Sequence, residues 1–209
     1  MQGNQNSQTT TVVVENYTGV ADLSPVGTFV FCILCFAFWA FDIGLLGEGS
    51  GLAIGLLGLA VFVPYLITGV GLAKKGICLG GNTYVLFGAV FGSCGGLFNT
   101  FGDLFAKWGI PFNYSVVGIP FTLAGLYLLC LLPGMLRTTK VDFLIFFFGA
   151  LGVLGSGLTI LGLFPAAFNI FNGWALFCDG VVGFYAVIAT VLNSLGLNIP
   201  MGKPFRAPK

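Results

Sequence analysis

The residues able to do chemistry are few enough to be taken one at a time. Histidine is absent from the 209 residues, which removes histidine-ligated metals, the Ser-His-Asp triad and imidazole base catalysis together. Four carboxylates lie in or beside strongly apolar stretches: Asp42, Asp103, Asp142 and Asp179. Asp103 has Lys107 one helical turn later, the spacing at which side chains meet, and reads as half of a local ion pair at a membrane boundary. Asp142 follows Lys140 at the start of an apolar run, where the positive end of a helix dipole favours a carboxylate. Asp42 closes another run and reads as a vestibule or boundary residue. Asp179 stands apart, because it lies about eight residues, roughly 12 Å, into the last apolar run with no basic neighbour in sequence. An ionisable group at that depth is a functional candidate. Two readings are open for it, a proton-carrying site or a hydrogen-bonding link to another helix.

Cys32-x-x-Cys35 has the spacing of a redox pair, but such chemistry needs an accessible thiolate in thioredoxin-like surroundings. Inside an apolar run both cysteines read as small core residues. Cys78, Cys94, Cys130 and Cys178 form no ligand spacing. No metal, no cofactor and no enzymatic activity are expected.

The elements that must position these residues follow from composition. The chain is 57% hydrophobic and 7% charged, whereas soluble domains carry about 25% charged residues. A water-facing surface cannot be made from so few charges. A net charge of +1 without a basic stripe also excludes a nucleic-acid partner. A membrane-spanning helix needs about 20 mostly apolar residues, and six runs qualify: 25–46, 51–73, 83–106, 116–136, 141–163 and 171–195. They are continuous and about twice the length of a barrel strand. The expected fold is an all-α integral membrane protein, a six-helix transmembrane bundle spanning 25–195. Residues 1–24 form an N-terminal tail, uncharged and polar from Met1 to Thr11 with too little apolar surface there to fold alone, and 196–209 form a short basic tail.

Basic residues set the orientation. With six spans both tails share one side with the second and fourth loops, and that side carries Lys74, Lys75, Arg137, Lys140, Lys203, Arg206 and Lys209 against Lys107 alone on the other. Both termini are therefore expected in the cytoplasm, in a multi-pass plasma-membrane protein (the inner membrane in a bacterium). The sequon at Asn16 would face the cytoplasm and that at Asn113 lies close to the membrane, so neither reads as glycosylated. Glycines at 88, 92 and 96, at 47, 51 and 55, and the small stripe Gly149, Gly152, Ser156 mark close helix packing, since lipid-embedded helices need small residues to approach.

The order of several short motifs resembles the acetate uptake transporters, the succinate–acetate-permease-like proteins of microbes. Asp22-Leu23-Ser24-Pro25-Val26-Gly27 is similar to the Asn-Pro-x-Pro-Leu-Gly opening of that family's first helix, keeping the second proline and the glycine. Gly81-Asn82-Thr83-Tyr84 resembles its Gly-Asn-Thr-Phe, and Phe91-Gly92-Ser93-Cys94-Gly95 its Ser-Tyr-Gly segment. Gly173-Trp174, Gly180, Tyr185, Val191-Leu192-Asn193 and Ile199-Pro200-Met201-Gly202 complete the match, which runs from Asp22 to Gly202. The resemblance implies a ring-shaped homo-oligomer, a hexamer, with a pore in each subunit. It implies transport of small carboxylates, acetate and succinate, by proton symport or as an anion channel. Family pores narrow at a Phe, a Tyr and a Leu. The Phe falls on Phe31, the Tyr on Cys94 or on Phe91, and the Leu near Gly149. The same comparison places a small neutral residue where this chain has Asp179.

A carboxylate crossing an apolar core needs polar hydrogens in place of water. No Lys or Arg lies within a span to supply them. The candidate binding groups are backbone N–H groups after Ser24 and Pro25, the Gly27 turn, and the side chains of Ser24, Asn82 and Thr83. Ser24 also reads as an N-cap before a proline at the first helical position. The expected function is transport of small monocarboxylates, acetate first, with protons as a further partner and Asp179 as the candidate proton site. A channel for a small neutral solute such as ammonia or urea is the first alternative, and a non-transporting membrane scaffold the second.

Overall fold

The computed structural model describes residues 22–206. Residues 1–21, with the expected disordered tail and the Asn16 sequon, and residues 207–209 lie outside the described residues. Six helices are long and apolar enough to cross a membrane: α1 (Ser24–Asp42), α2 (Ser50–Lys74), α3 (Cys78–Lys107), α4 (Tyr114–Met135), α5 (Lys140–Ile160) and α6 (Phe168–Ser194). The six expected runs are all present, with shifted ends. α1 stops at Asp42, because Gly44 turns the chain into the left-handed region at φ +74°. α3 starts at Cys78 and continues through Gly80-Gly81, which read as a turn in sequence. In lipid every backbone N–H must be bonded internally, so glycines that would end a helix in water are carried through. α2 ends in a Schellman cap, with Gly76 at φ +77° and the amide of Ile77 donating to Leu72 O at 3.0 Å.

Each helix packs on its neighbours in sequence, and α6 returns to pack on α1. The middle of α3 touches α4, so the six helices close into a ring around a central axis. Glycines set how closely the ring draws in. On α5, a Cβ added at Gly149, Gly152 or Gly155 would lie 2.8 Å from Asp179 Oδ2, 2.7 Å from Leu176 Cγ or 2.8 Å from Asn172 Cγ of α6. The packing stripe of α5 thus runs Gly149, Gly152, Gly155, and Ser156 turns instead toward the axis. The other side of α6 accepts α1 in the same way: Cβ atoms at Gly183, Gly180 and Gly173 would meet Cys32 Sγ at 2.9 Å, Cys35 Cβ at 3.2 Å and Asp42 Cβ at 3.0 Å. Cys32 and Cys35 are both buried and unpaired, in the small-core role their setting implied.

The middle third of α3 is not an α-helix. Gly88–Gly95 winds as a π-helix between the α-helical segments Cys78–Phe87 and Gly96–Lys107. Gly92 presses on Phe62, with a Cβ placed 2.9 Å from its Cα, and Gly96 on Leu59, 2.8 Å from its N. Wide π turns of this kind re-aim the side chains around them and recur at functional sites.

A candidate permeation path

Two cavities lie end to end along the bundle axis. One, of about 200 Å³, opens toward the α1–α2, α3–α4 and α5–α6 loops and is lined by Phe38, Asp42, Tyr65, Asn99, Tyr114, Ser156, Asn169 and Leu176, among others. The second, of about 310 Å³, opens toward the face that carries the chain ends, and is lined by Ser24, Pro25, Thr28, Thr83, Tyr84, Thr138, Asp142, Thr190 and Met201, among others. Phe31 belongs to both linings.

Between the cavities is a layer of buried aromatic rings. Phe31 stacks on Phe87 (centroids 6.1 Å), Phe87 meets Phe91 edge-on (5.1 Å) and Phe91 meets Phe121 edge-on (4.9 Å), while the half-buried Phe38 of the loop-side cavity meets Phe121 (6.3 Å). Edge-to-face rings at these distances pack favourably. A layer so apolar offers a polar solute or water no hydrogen-bond partner. The π-helix matters here, since Phe87 precedes it and Phe91 lies within it.

Hydroxyl groups cluster on the chain-end side of the layer. The Thr28 and Tyr84 hydroxyls bond each other at 2.6 Å, and Thr28 Oγ1 also reaches Ser24 O at 2.9 Å. Thr83 and Tyr127 hydroxyls pair at 3.1 Å. On the loop side, Tyr114 donates to Asn99 Oδ1 at 3.1 Å. The ends of several helices hold their own carboxylates. Asp142 accepts from the Thr139 hydroxyl at 2.7 Å, and its backbone N–H donates to Thr139 Oγ1 at 3.1 Å, a reciprocal cap on α5. Asp103 accepts the Leu52 N–H at 2.7 Å. Its carboxylate caps the start of α2, a contact between helices in place of the local ion pair with Lys107 that spacing implied.

Asp179 is fully buried, and neither carboxyl oxygen has a hydrogen-bond partner among the described residues. It falls near the middle of the 27-residue α6, about 17 Å from the start at 1.5 Å per residue. That is deeper than the sequence implied, because α6 begins at Phe168. It lines neither cavity. Leu176 of α6 and Cys35 of α1 stand beside it on the loop-side wall.

The chain folds like a known channel. Its structure is similar to that of the bacterial acetate channel SatP, with a TM-score of 0.74, covering 88% of this chain and 99% of that one at 21% sequence identity. No protein-family model and no curated protein sequence matches the chain. The likeness to SatP is therefore one of fold: six membrane-length helices in the same arrangement, with almost all of SatP matched.

The candidate residues separate into those the fold brings together and those it does not. Phe31 and Phe91 both join the aromatic layer. Cys94 is partly exposed in the π-helix and lines neither cavity. Gly149 also stands outside the layer, since it has no side chain and the space above it is filled by Asp179 and Leu128. Phe87 and Phe121 occupy the layer instead. Ser24, Pro25 and Thr83 line the chain-end cavity. Ser24 does not act as the N-cap. Leu23 holds that position, and the Asp22 carboxylate accepts both the Ser24 N–H and its hydroxyl at 3.0 Å. Gly27 is buried where a Cβ would lie 2.7 Å from Thr68 Cγ2 and from the Tyr84 ring, so it serves close packing. Asn82 is exposed on a shallow groove between α2 and α3 with Val70, Lys74 and Val85. Neighbouring residues on a helix point about 100° apart, so Thr83 faces the axis while Asn82 faces away.

Proposed function

We propose that this protein carries small monocarboxylates, acetate first, across a membrane through a path inside each bundle. The observation that carries this reading is the pair of end-to-end cavities separated by a single aromatic layer, on the fold of an acetate channel. The chain-end cavity supplies hydroxyl donors from Thr28, Thr83, Tyr84 and Thr190 for a desolvated carboxyl. The bias of basic residues supports a plasma-membrane location with the chain-end cavity facing the cytoplasm and the loop-side cavity facing out. The family resemblance supports a ring of six subunits. Asp179 is the proton site of this reading, because a carboxyl group without donors or cations around it is accommodated in the neutral form. Asp179→Asn then blunts the dependence of transport on pH, and an unaltered pH profile in that variant removes Asp179 from the mechanism.

A second reading, a channel for a small neutral solute, is favoured by the absence of any Lys or Arg from either lining among the described residues. Uptake of labelled acetate into proteoliposomes, with and without an imposed pH gradient, distinguishes the two. Acetate uptake above protein-free vesicles supports the carboxylate reading. Rapid swelling in urea without acetate uptake replaces it with the neutral channel, and neither signal leaves an assembly role.

A further inference from the structure

The charges on the proposed path are all of one sign. Among the described residues, Asp42 is the single charged group lining the loop-side cavity and Asp142 the single charged group lining the chain-end cavity. Asp179 is buried and lines neither cavity, so it adds no charge to either lining. The two mouth carboxylates differ in their surroundings. Asp142 is held by the Thr139 cap and directed along α5. Asp42 ends α1 against Gly173 of α6 and borders a cavity whose remaining polar lining is uncharged: Asn99 of α3, Tyr114 of α4, Ser156 of α5 and Asn169 of α6. The titratable groups that share this lining are Tyr65 of α2, Tyr114 of α4 and Cys35 of α1, and none of these can carry a positive charge. A cleft lined by one sign of charge repels ligands of that sign and concentrates their neutral or oppositely charged forms.

From this we infer that Asp42 is the specificity-determining residue of the loop-side mouth: in its ionised form it rejects carboxylate anions and admits the same acids in their protonated form. The inference rests on the carboxylate reading above and adds which chemical species enters. Inside so small a cavity an anion has to sit close to Asp42. Two like unit charges roughly 6 Å apart, at an effective dielectric of about 20, lower anion occupancy about a hundredfold. The neutral acid escapes that penalty, and its O–H can donate to the Asp42 carboxylate. Asp142 applies the same selection at the other mouth, with less freedom because its carboxylate is already bonded.

The test separates charge from flux in the full-length protein reconstituted into planar bilayers and liposomes. At about pH 8 a simple carboxylic acid is almost wholly ionised, so acetate-dependent current there reports the anion alone. Wild type is expected to carry little of this current, Asp42→Asn about tenfold more, short of the full hundredfold because the Asp142 charge remains at the other mouth, and Asp42→Glu as little as wild type. Asp42→Asn combined with Asp142→Asn exceeds Asp42→Asn alone. Tryptophan fluorescence and gel filtration establish that each variant is folded, and Asp42→Glu decides the question if the asparagine variant does not assemble, because a retained charge then has to retain the low current. Equal currents in wild type and Asp42→Asn, large or absent, overturn the inference, as does an Asp42→Glu current well above wild type. Labelled acetate uptake at about pH 5, where the neutral acid is plentiful, is the separate arm. Loss of that uptake in wild type defeats the carboxylate reading itself, whereas uptake with equal currents defeats only the role given to Asp42.

Discussion

Replacing Phe31 by alanine removes the ring common to both cavities, and its consequences can be worked from the structure. The ring is buried, stacks on Phe87 at 6.1 Å and lies against the α6 groove, where a Cβ at Gly183 would meet Phe31 Cδ1 at 3.7 Å. Losing a buried phenylalanine ring costs about 3–5 kcal/mol when the cavity stays empty. Here the vacated space joins cavities of about 200 and 310 Å³ whose mostly apolar linings carry several hydroxyl and amide groups, so water bonded to those groups can enter it and the cost falls toward the lower end of that range. The effect on passage is larger in proportion. A neutral polar group crossing an apolar layer without hydrogen-bond partners loses about 2–7 kcal/mol. A wetted gap relieves at least the smaller figure, and about 2 kcal/mol corresponds to about 30-fold in rate. The assay is stopped-flow measurement of acetate and urea entry into proteoliposomes, alongside thermal unfolding in detergent. Both solutes are expected to enter faster, with less discrimination between them. A folded Phe31→Ala protein with unchanged entry of both would refute the aromatic layer as the constriction.

Three further expectations concern the scaffold and its ends. Gly125→Val drives α4 from α5, since even a Cβ at this position would lie 2.5 Å from Leu154 Cα and 2.6 Å from its Cβ. Overpacking of about 1–3 kcal/mol or more should lower the melting temperature, whereas Gly134→Ala, with nothing within 4 Å, should leave it level or raise it slightly. Asp103→Ala removes the acceptor of the Leu52 N–H; a lost cap costs about 1 kcal/mol and should speed amide exchange in the first turn of α2, with Asp103→Asn retaining most of the protection. Tyr185→Phe deletes the hydroxyl that donates to Pro200 O at 2.6 Å. A net loss of about 1 kcal/mol makes opening of residues 199–206 about fivefold more frequent, and trypsin cleavage at Lys203 and Arg206 should rise while the six helices stay protected.

What the sequence determined by itself is the membrane architecture, and the reason is the solvent. A bilayer demands runs of about 20 apolar residues with every backbone group bonded inside them, so six runs broken by charge and glycine could hardly become anything but six helices. The same constraint made the depth of Asp179 visible, because no other carboxylate is placed so far into a run. Phe31 and Phe91 were legible only through resemblance, and the layer they build was not. Phe87 and Phe121 are two of 23 phenylalanines, and only the closing of the ring, with a π-helical stretch at Gly88–Gly95, selects them over Cys94 and Gly149. Tertiary structure likewise turned Thr83 to the axis and Asn82 away from it, gave Asp103 to a neighbouring helix, and set Gly149 beneath Asp179 to make room for its carboxyl group. Spacing along one helix tells which residues share a face. Which face meets the axis, and what stands opposite, is decided by the packing of all six.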